Sequence, residues 1–401
     1  MLSFEQALNI VKEKLAAADL TLGAEVVPLA EARTRVLAED VVADRDYPPF
    51  HRSIRDGFAV RAEDIAAPPV ELLARGEIRA GGHFTGSIRA GECVSIMTGA
   101  PLPAGADAVV MVEYTELHDD RVTIQRGVRA GENVVPQGSE VHAGTCVMPR
   151  GRRLGAGELG LLATVGKSQV PVFARPSVAI LPTGDEVVPV EQQPEWFQIR
   201  NSNAVSLSAQ VTAAGGNPHC FAIAPDRPEA LRSLIQKGLK TDLLLLTGGV
   251  SVGKYDFVEQ VLAGLGAEFY FQSVALRPGK PLVFGRVAGK FFFGLPGNPV
   301  STFVTFALFA RPALAVLGGA KFEQPLFLRA RLGKPFKQPS GLTAFLPARV
   351  EASSGEPVVN SVGWQGSGDL VGVAAANCFI VIHPEQAELA AGDSVDVMAK
   401  D

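Results

Sequence analysis

Cysteine and histidine are scarce in this chain. Its 401 residues include six scattered histidines and four cysteines that never form a C-x-x-C pair: Cys93, Cys146, Cys220 and Cys378. Disulfide-framed secreted proteins and structural zinc sites both need closely spaced cysteines, so neither class is expected. We expect four reduced thiols in a cytosolic protein, without a histidine-based metal site.

An excess of positive charge is also absent. The formal net charge is −5 and the pI is near 5.8, which argues against nucleic acid as the main partner. An anionic ligand would therefore be held by a local cluster of basic groups. The N-terminal stretch MLSFEQALNIVKEKL is amphipathic and carries acids, unlike a signal or transit peptide.

The chain has one long apolar run, VSTFVTFALFARPALAVLG at residues 300–318. Arg311 and Pro312 interrupt it, so the apolar stretch falls well short of the ~20 residues that a membrane span needs. We expect a buried helix that is kinked or broken at the proline, in a soluble, cytoplasmic protein without a membrane partner.

Glycine and proline, by contrast, are abundant, with 42 and 28 residues. Two to four domains are expected at this length. The apolar spacing predicts helices at 4–15, 28–40 and 158–166, and residues 41 to about 138 have the short alternating runs of an all-β unit. A short theme recurs as AGECV (90–94), AGENV (130–134), AGTCV (143–147) and AGDSV (391–395). It predicts a turn that leads into a strand, not a duplicated domain.

Strand and helix signals alternate from about residue 175, which predicts a parallel sheet with helices on both faces, and the C-terminal segment returns to short strands. In the stretch LLLLTGGVSVGKYDF (243–257), four leucines suit a strand buried on both faces, and the glycines let the backbone turn sharply. A plain Gly-rich connection between a strand and a helix is the alternative.

Four Gly/Pro-rich turns are predicted to follow strands of this α/β unit: PTGDE (182–186), TGGVSVG (247–253), RPGKP (277–281) and GLPGNP (294–299). Ligands of such sheets bind beyond the carboxyl ends of the strands, and exposed backbone N–H groups in turns suit phosphate or another oxyanion. We therefore expect the turns to share one edge of the sheet and to form a ligand cleft there.

Charged residues accompany these turns. A nucleotide phosphate close to acids requires Mg²⁺, which takes one or two carboxylates, and the candidates are Asp185, Glu186, Asp226 and Asp256. Each could instead be an ordinary turn or N-cap residue. Arg277 and Lys280 are candidate anion ligands, with solvated loop charges as the alternative. No Ser-His-Asp or Cys-His arrangement is recognisable, so we expect positioning and electrostatics without a covalent intermediate.

The ordered motifs of the chain resemble those of the MoeA family of molybdopterin molybdenumtransferases and the related gephyrin E domain. The resemblance covers essentially the whole chain and is carried by the four turns above together with DGFAV (56–60), IMTGAPLPAGADAVVMVE (96–113), IRNSN (199–203), GSGDL (366–370) and AAAN (374–377). It implies a multidomain α/β fold with these parts: an N-terminal helical and linker subdomain (1–43 with 138–173), an inserted β-rich subdomain (44–137), a molybdopterin-binding α/β domain with a parallel-type sheet (174–318) and a small C-terminal β-barrel (319–401).

The resemblance also implies an activity. In the family, adenylylated molybdopterin binds between the α/β domain of one chain and the β-rich subdomain of its partner in a homodimer. Mg²⁺-dependent cleavage of the adenylyl bond releases AMP as molybdate is inserted into the dithiolene, which gives molybdenum cofactor. Contact with the adenylyltransferase of the same pathway is a further expectation.

Matching the family position by position gives candidate site residues. The expected catalytic residues are Asp56, Thr98, Glu186, Asp226 and Asp256, of which Asp226 and Asp256 are the expected Mg²⁺ ligands. The expected substrate-binding residues are Gly248, Gly249, Ser251, Arg277, Lys280, Pro281, Pro296, Asn298, Ser301, Arg349 and Ser367. Two of them have plain alternatives: Arg349 as a charge on the barrel surface and Ser367 as a turn residue.

Several positions depart from the family pattern. HRSIRDG (51–57) has His51 and Arg55 as substitutions, Glu140 stands where aspartate is common, Arg277 replaces lysine, and Ser273 occupies a position that is often basic. One cation fewer would weaken anion binding, which leaves a non-catalytic molybdopterin-binding carrier or scaffold as the alternative function. A sugar- or nucleotide-phosphate enzyme on the same α/β unit would leave the first 170 residues unexplained.

Overall fold

The computed structural model describes residues 1–18, 20, 22–249, 257–337, 341–352 and 354–400. The elements of the first 173 residues are α1 (Phe4–Ala16), β1 (Ala24–Pro28), β2 (Val41–Val42), β3 (Arg52–Ser53), β4 (Gly57–Val60), β5 (Val70–Ile78), β6 (Glu92–Ile96), β7 (Ala108–Met111), β8 (Thr115–His118), β9 (Arg121–Ile124), β10 (Val134–Val135), β11 (Cys146–Met148), α2 (Ala156–Thr164) and β12 (Gln169–Phe173). Short 3₁₀ turns lie at Leu29–Glu31, Ala62–Ile65 and Val112–Tyr114.

The α/β part follows with β13 (Ser177–Pro182), β14 (Val187–Val188), β15 (Ile199–Arg200), α3 (Ser202–Ala213), β16 (Asn217–Cys220), α4 (Pro228–Gly238), β17 (Leu243–Thr247), α5 (Phe257–Ala263), β18 (Glu268–Phe271), β19 (Leu276–Arg277), β20 (Val283–Val287), β21 (Lys290–Leu295), α6 (Pro299–Thr305) and α7 (Arg311–Leu317). The C-terminal part has β22 (Phe327–Leu332), β23 (Phe336–Lys337), β24 (Thr343–Glu351), β25 (Val358–Ser361), α8 (Leu370–Ala375), β26 (Cys378–Ile382), β27 (Glu388–Leu389) and β28 (Ser394–Ala399).

The first predicted helix is confirmed and the second is wrong. Helix α1 begins at a capping box, because the Ser3 hydroxyl accepts the Gln6 N–H and the Gln6 side chain accepts the Ser3 N–H. Residues 28–40 form only the short 3₁₀ turn, although their apolar spacing is helical. Their backbone pairs at long range, since the Thr34 N–H donates to the Leu154 carbonyl and the Leu37 N–H to the Arg152 carbonyl. These tertiary hydrogen bonds outweigh the weak helix propensity of the segment.

Residues 24–43 and 141–173 share one hydrophobic core, which includes Leu37, Val41, Leu154, Leu162 and Val172. Strand β1 pairs antiparallel with β12 across it. Between these two segments the chain forms the predicted β unit, a six-stranded sheet in the order β7-β4-β6-β5-β9-β8.

The central sheet has the order β16-β13-β17-β21-β20-β18. Strands β13, β16, β17 and β21 are parallel, as predicted, whereas β20 pairs antiparallel with β21 and β18 pairs antiparallel with β20. The antiparallel pair arises because Ala288 and Gly289 join β20 to β21 with positive φ angles of 47° and 80°. Two such residues make the tight turn of a β-hairpin, which leaves no room for a crossover helix.

Helices cover both faces of this sheet. Leu243 and Leu245 of β17 pack in one core with residues of α1, α3, α6 and α7, whereas Leu244 and Leu246 pack in a second core with residues of α4 and α5. The prediction that the four leucines form a strand buried on both faces is confirmed.

The apolar run is a core helix. Residues Pro299–Leu317 are long and apolar enough to cross a membrane, but 78% of that window is buried inside the protein. A π-helical turn at Phe306–Ala310 separates α6 from α7 just before Pro312. Proline has no N–H to donate to the carbonyl four residues earlier, so the hydrogen-bond spacing changes in the preceding turn.

The C-terminal strands form a closed five-stranded barrel in which β24, β25, β22, β28 and β26 pair in turn and β26 returns to β24. Strand β19 leaves the α/β part to pair with β24. The Phe4 ring of α1 contacts the rings of Phe309, Phe327 and Phe345, at centroid distances of 5.7, 6.3 and 5.8 Å. Helix α1 therefore packs between the apolar helix and the barrel.

Candidate functional site

The four Gly/Pro-rich turns adjoin one edge of the central sheet, as predicted, but the turn at 277–281 precedes a strand of that sheet, whereas it was predicted to follow one. Pro182 lies opposite Thr247, and Thr247 lies opposite Leu295, so β13, β17 and β21 end at the same level. Strand β20 runs the other way and begins at Val283 opposite Gly294. The turn at 277–281, which precedes β20, therefore adjoins this edge as well.

Backbone hydrogen bonds join the turns to one another. The Thr183 N–H donates to the Thr247 carbonyl (2.9 Å), and the Gly248 N–H donates to the Leu295 carbonyl (3.2 Å). Gly248 has a φ of 90°, and a Cβ there would lie 2.8 Å from the Thr183 carbonyl oxygen. Glycine is thus required where the turn after β17 meets the turn after β13. Ser251 and Asp256, two predicted site residues, lie outside the described residues.

Two carboxylate-bearing segments adjoin each other at this edge. The Gly184 N–H donates to the Ala224 carbonyl (3.2 Å), and the Asp226 N–H donates to the Asp185 Oδ1 (3.1 Å). Asp226 is not the N-cap of α4, because Arg227 holds that position. Glu186 is exposed beside Asp185. Within the described ranges, no group of three or more histidine, cysteine or acidic residues could hold a metal ion by itself.

Arg277 and Lys280 present exposed side chains in the turn before β20, which adjoins the same edge of the sheet. Neither side chain forms an ion pair or hydrogen bond with any residue that the structure describes. The turn between them is rigidly seated, because Pro278 and Gly279 are buried and a Cβ on Gly279 would lie 2.6 Å from Thr305 Cγ2. The side-chain charges of Arg277 and Lys280 are therefore available to bind an anion.

The turn after β21 is linked to the barrel part of the chain. The Asn298 Nδ2–H donates to the Ser367 hydroxyl (2.9 Å), and the Val300 N–H donates to the Ser367 carbonyl (2.9 Å). Ser301 is buried in the first turn of α6. Arg349 lies exposed on β24, and its only described ion pair is with Glu351, at 3.9 Å. The structure therefore joins Ser367 to the GLPGNP turn and shows no such link for Arg349 among the described residues.

Asp56 and Thr98 form a second group, in the β-rich part. The backbone N–H and the hydroxyl of Thr98 both donate to Asp56 Oδ1, at 2.6 and 2.8 Å. These two bonds, the backbone one first, hold the pKa of the exposed Asp56 carboxyl below its usual value. Within the described part of the chain, no hydrogen bond or ion pair joins residues 51–135 to residues 174–400.

Two features of this edge were not predicted. Asn203 of α3 hydrogen-bonds both to Thr247 and to Gly297, at 2.8 Å each. Its only signal in the sequence was its place in IRNSN. An open pocket of about 810 Å³ also lies beside Gly184 and Pro225, with a largely apolar lining that includes Val187, Val205 and Phe221. Residues that are distant in the sequence line this pocket, and the periodicity of apolar residues in the sequence does not predict which of them meet.

Comparison with known proteins defines the class. Three family models match consecutive segments: the MoeA N-terminal region (domain I and II) at residues 2–166, a probable molybdopterin binding domain at 179–316, and the MoeA C-terminal region (domain IV) at 329–400. The chain belongs to the MoeA family.

Individual relatives agree with this assignment. The chain is 36% identical to a molybdopterin molybdenumtransferase of Nostoc sp., with 99% of this chain and 94% of the relative covered. It is 35% identical to one of Staphylococcus epidermidis, with 93% and 90% covered. Its fold is similar to that of a molybdopterin biosynthesis MoeA protein of Pyrococcus horikoshii, with a TM-score of 0.82, 28% identity and 100% of each chain covered.

Proposed function

We propose that this chain is a molybdopterin molybdenumtransferase that inserts molybdate into adenylylated molybdopterin and releases AMP. The observation that carries the proposal is the convergence of turns from several strands on one sheet edge, with Arg277 and Lys280 left without protein partners among the described residues. Membership of the family places the chain in molybdenum cofactor biosynthesis. Nothing in the structure or the comparisons favours a non-catalytic carrier.

The molybdate end of the site is assigned to the turns around β20 and β21. A tetrahedral dianion needs cationic and hydroxyl donors, and charge-assisted hydrogen bonds are the stronger kind. Arg277, Lys280 and Ser367 supply such donors, with Ser301 and Arg349 as the further proposed ligands. Arginine at position 277 keeps the charge of lysine and offers a planar fork of donors. Pro281, Pro296 and Asn298 shape the turns.

The phosphate end is assigned to the turns after β13 and β17, where Gly248 lets two turns of the backbone approach closely and Gly249 supplies a backbone N–H. Mg²⁺ fits this end, because it takes only one or two carboxylates together with phosphate oxygens, and Asp226 lies against the Asp185 and Glu186 turn. Asp226 and Asp256 are its proposed ligands. When bound, the ion would neutralise charge on the phosphates. Glu186 is the proposed further catalytic carboxylate on this edge.

The assembly is proposed to be a homodimer in the cytoplasm. Asp56 and Thr98 have no described hydrogen bond or ion pair to the α/β part of their own chain, which supports a site completed by these residues of the partner subunit. Contact with the adenylyltransferase that supplies the substrate is proposed too.

The domain boundaries that we propose are 1–43 with 138–173, 44–137, 174–318 and 319–401.

The direct test is turnover. Purified protein incubated with adenylylated molybdopterin, Mg²⁺ and molybdate should release AMP and yield active cofactor, whereas the Asp256→Ala variant should not. Calorimetry with the same pterin distinguishes a carrier from an enzyme, because a carrier would bind the pterin tightly and leave the adenylyl group uncut. Absence of AMP from the wild-type reaction, with no effect of Asp256→Ala, would overturn the enzymatic proposal.

A further inference from the structure

One amide side chain spans two of the turns at the sheet edge. Asn203 lies in the first turn of α3, and its Nδ2 donates to the Thr247 hydroxyl and to the Gly297 carbonyl, at 2.8 Å each. Thr247 is the last residue of β17 and directly precedes Gly248. Gly297 lies between Pro296 and Asn298 in the turn after β21. The amide thus bonds to both the phosphate end and the molybdate end of the site.

The chemistry of these partners fixes the orientation of the amide. The Gly297 carbonyl can only accept a hydrogen bond, so the nitrogen and not the oxygen of Asn203 must face it. The Asn203 Oδ1 is then buried without a hydrogen-bond partner among the described residues. A buried, unsatisfied acceptor is costly. The unsatisfied oxygen therefore destabilises the fold, and the two hydrogen bonds that the nitrogen donates must offset this loss of stability.

Further hydrogen bonds extend from each of the two partners. The Thr247 carbonyl accepts the Thr183 N–H (2.9 Å), which begins the turn bearing Asp185 and Glu186. On the other side, Asn298 adjoins Gly297 and donates to the Ser367 hydroxyl (2.9 Å). Asn203 thus lies between two sets of hydrogen bonds, one of which joins Thr247 to the carboxylate-bearing turn and the other of which joins Asn298 to the barrel part of the chain.

We propose that Asn203 is a positioning residue, which fixes the spacing between the turn after β17 and the turn after β21. This inference rests on the proposed transferase function, because only there do the two turns hold different parts of one reaction. Without the amide, both turns can still bind, but the bound phosphate and molybdate lose their mutual alignment. Alignment of reacting groups acts on turnover more than on binding.

The same helix offers a matched control. Gln210 of α3 also has an amide that donates to a backbone carbonyl, that of Phe303 (3.2 Å), and also has a buried oxygen without a described partner. It lies two turns along the helix, away from the sheet edge. Asn203→Ala should lower kcat for AMP release by roughly 10- to 100-fold with little change in KM. Gln210→Ala should leave kcat unchanged at a comparable loss of thermal stability.

A second pair of variants tests the bond itself. Thr247→Val removes the hydroxyl acceptor at nearly constant volume, and Thr247→Ser keeps it. We expect Thr247→Val to lower kcat and Thr247→Ser to retain it. The double variant Asn203→Ala/Thr247→Val should lose less than the product of the two single losses, because both remove one interaction.

The outcomes distinguish the two proposals. If wild-type protein releases no AMP, the transferase function fails. If wild-type protein is active and Asn203→Ala matches Gln210→Ala in kcat, or if its loss multiplies fully with that of Thr247→Val, the positioning role of Asn203 is overturned.

Discussion

At the scale of single residues, the proposed site depends on polar side chains that are held by short hydrogen bonds. Asp56 illustrates this, because both described hydrogen bonds to its carboxylate come from Thr98. The sequence places these residues 42 positions apart. Their pairing follows from the antiparallel alignment of β4 with β6, in which Gly57 lies opposite Ile96.

Thr98→Val should raise the pKa of Asp56 toward the ordinary aspartate value of about 3.9. The variant removes the hydroxyl bond and keeps the backbone bond, so the rise should be partial. Because the folded-state pKa of Asp56 is lowered, the ionised form persists to lower pH in the wild-type protein, and the variant should lose it at a higher pH as acid is added. Carboxyl-detected NMR titration measures this.

Thr115→Val is the control for this titration. Its hydroxyl donates to the Val112 carbonyl (2.9 Å) in the same part of the chain, so its loss should leave the Asp56 pKa unchanged. An unshifted Asp56 pKa in Thr98→Val would contradict the assigned cause.

Ser273→Lys should lower KM for molybdate, by roughly 2- to 10-fold for one added charge-assisted contact. Ser273 is half-buried and directly precedes Val274, whose N–H donates to the Lys280 carbonyl (3.0 Å). A cation here would therefore join Lys280 near the anion. Steady-state kinetics at varied molybdate tests the idea, with Ser273→Gln as a neutral long-chain control. An unchanged KM would show that serine at position 273, where the family often has a basic residue, does not weaken molybdate binding.

At the scale of elements, the recurring Ala-Gly turn has the same backbone conformation and the same hydrogen bond at three places. Gly91, Gly131 and Gly392 have positive φ angles of 77°, 82° and 92°, and each leads toward a strand. The acid after each glycine accepts the N–H three residues before it, as Glu92 does from Arg89 at 2.9 Å. The turn was predictable because all of its interactions lie within four residues.

Two glycine substitutions should change stability in opposite directions. A Cβ on Gly57 of β4 would lie 1.8 Å from the Val110 carbonyl oxygen of β7, so Gly57→Ala should destabilise by about 3 kcal/mol or more. Gly160 in α2 has no neighbouring atom within 4 Å of such a Cβ, so Gly160→Ala should stabilise by about 0.5–1 kcal/mol. Urea unfolding of both variants gives the comparison, and equal midpoints would refute this account.

At the scale of the whole molecule, the fold separates the proposed site into two groups. The turns of the central sheet carry Lys280 and Asp226, whereas Asp56 and Thr98 lie in the β-rich part, without a described hydrogen bond between the groups. A homodimer would bring the two together across its interface, and light scattering should give twice the chain mass of 42.2 kDa.

Complementation tests the shared site. Asp56→Ala and Lys280→Ala homodimers should each be inactive. Mixed after mild dissociation, they should regain about a quarter of wild-type activity, because half of the dimers are then mixed and one of the two sites in each mixed dimer has both native residues. Two Lys280→Ala preparations treated in the same way are the control. No recovery in a mixture shown to contain mixed dimers would place both residues in one subunit's site.

The sequence by itself determined what depends on near neighbours. The capping box at Ser3, the glycine turns and the leucines of β17 are encoded within a few residues, and the motif order was enough to indicate the family. Tertiary structure decided the rest, because it depends on partners distant along the chain. Residues 28–40 lost their helical pattern to hydrogen bonds with residues 152–171, a two-residue turn made β20 antiparallel, and Asn203 gained its role only when folding brought Thr247 and Gly297 within reach of one amide.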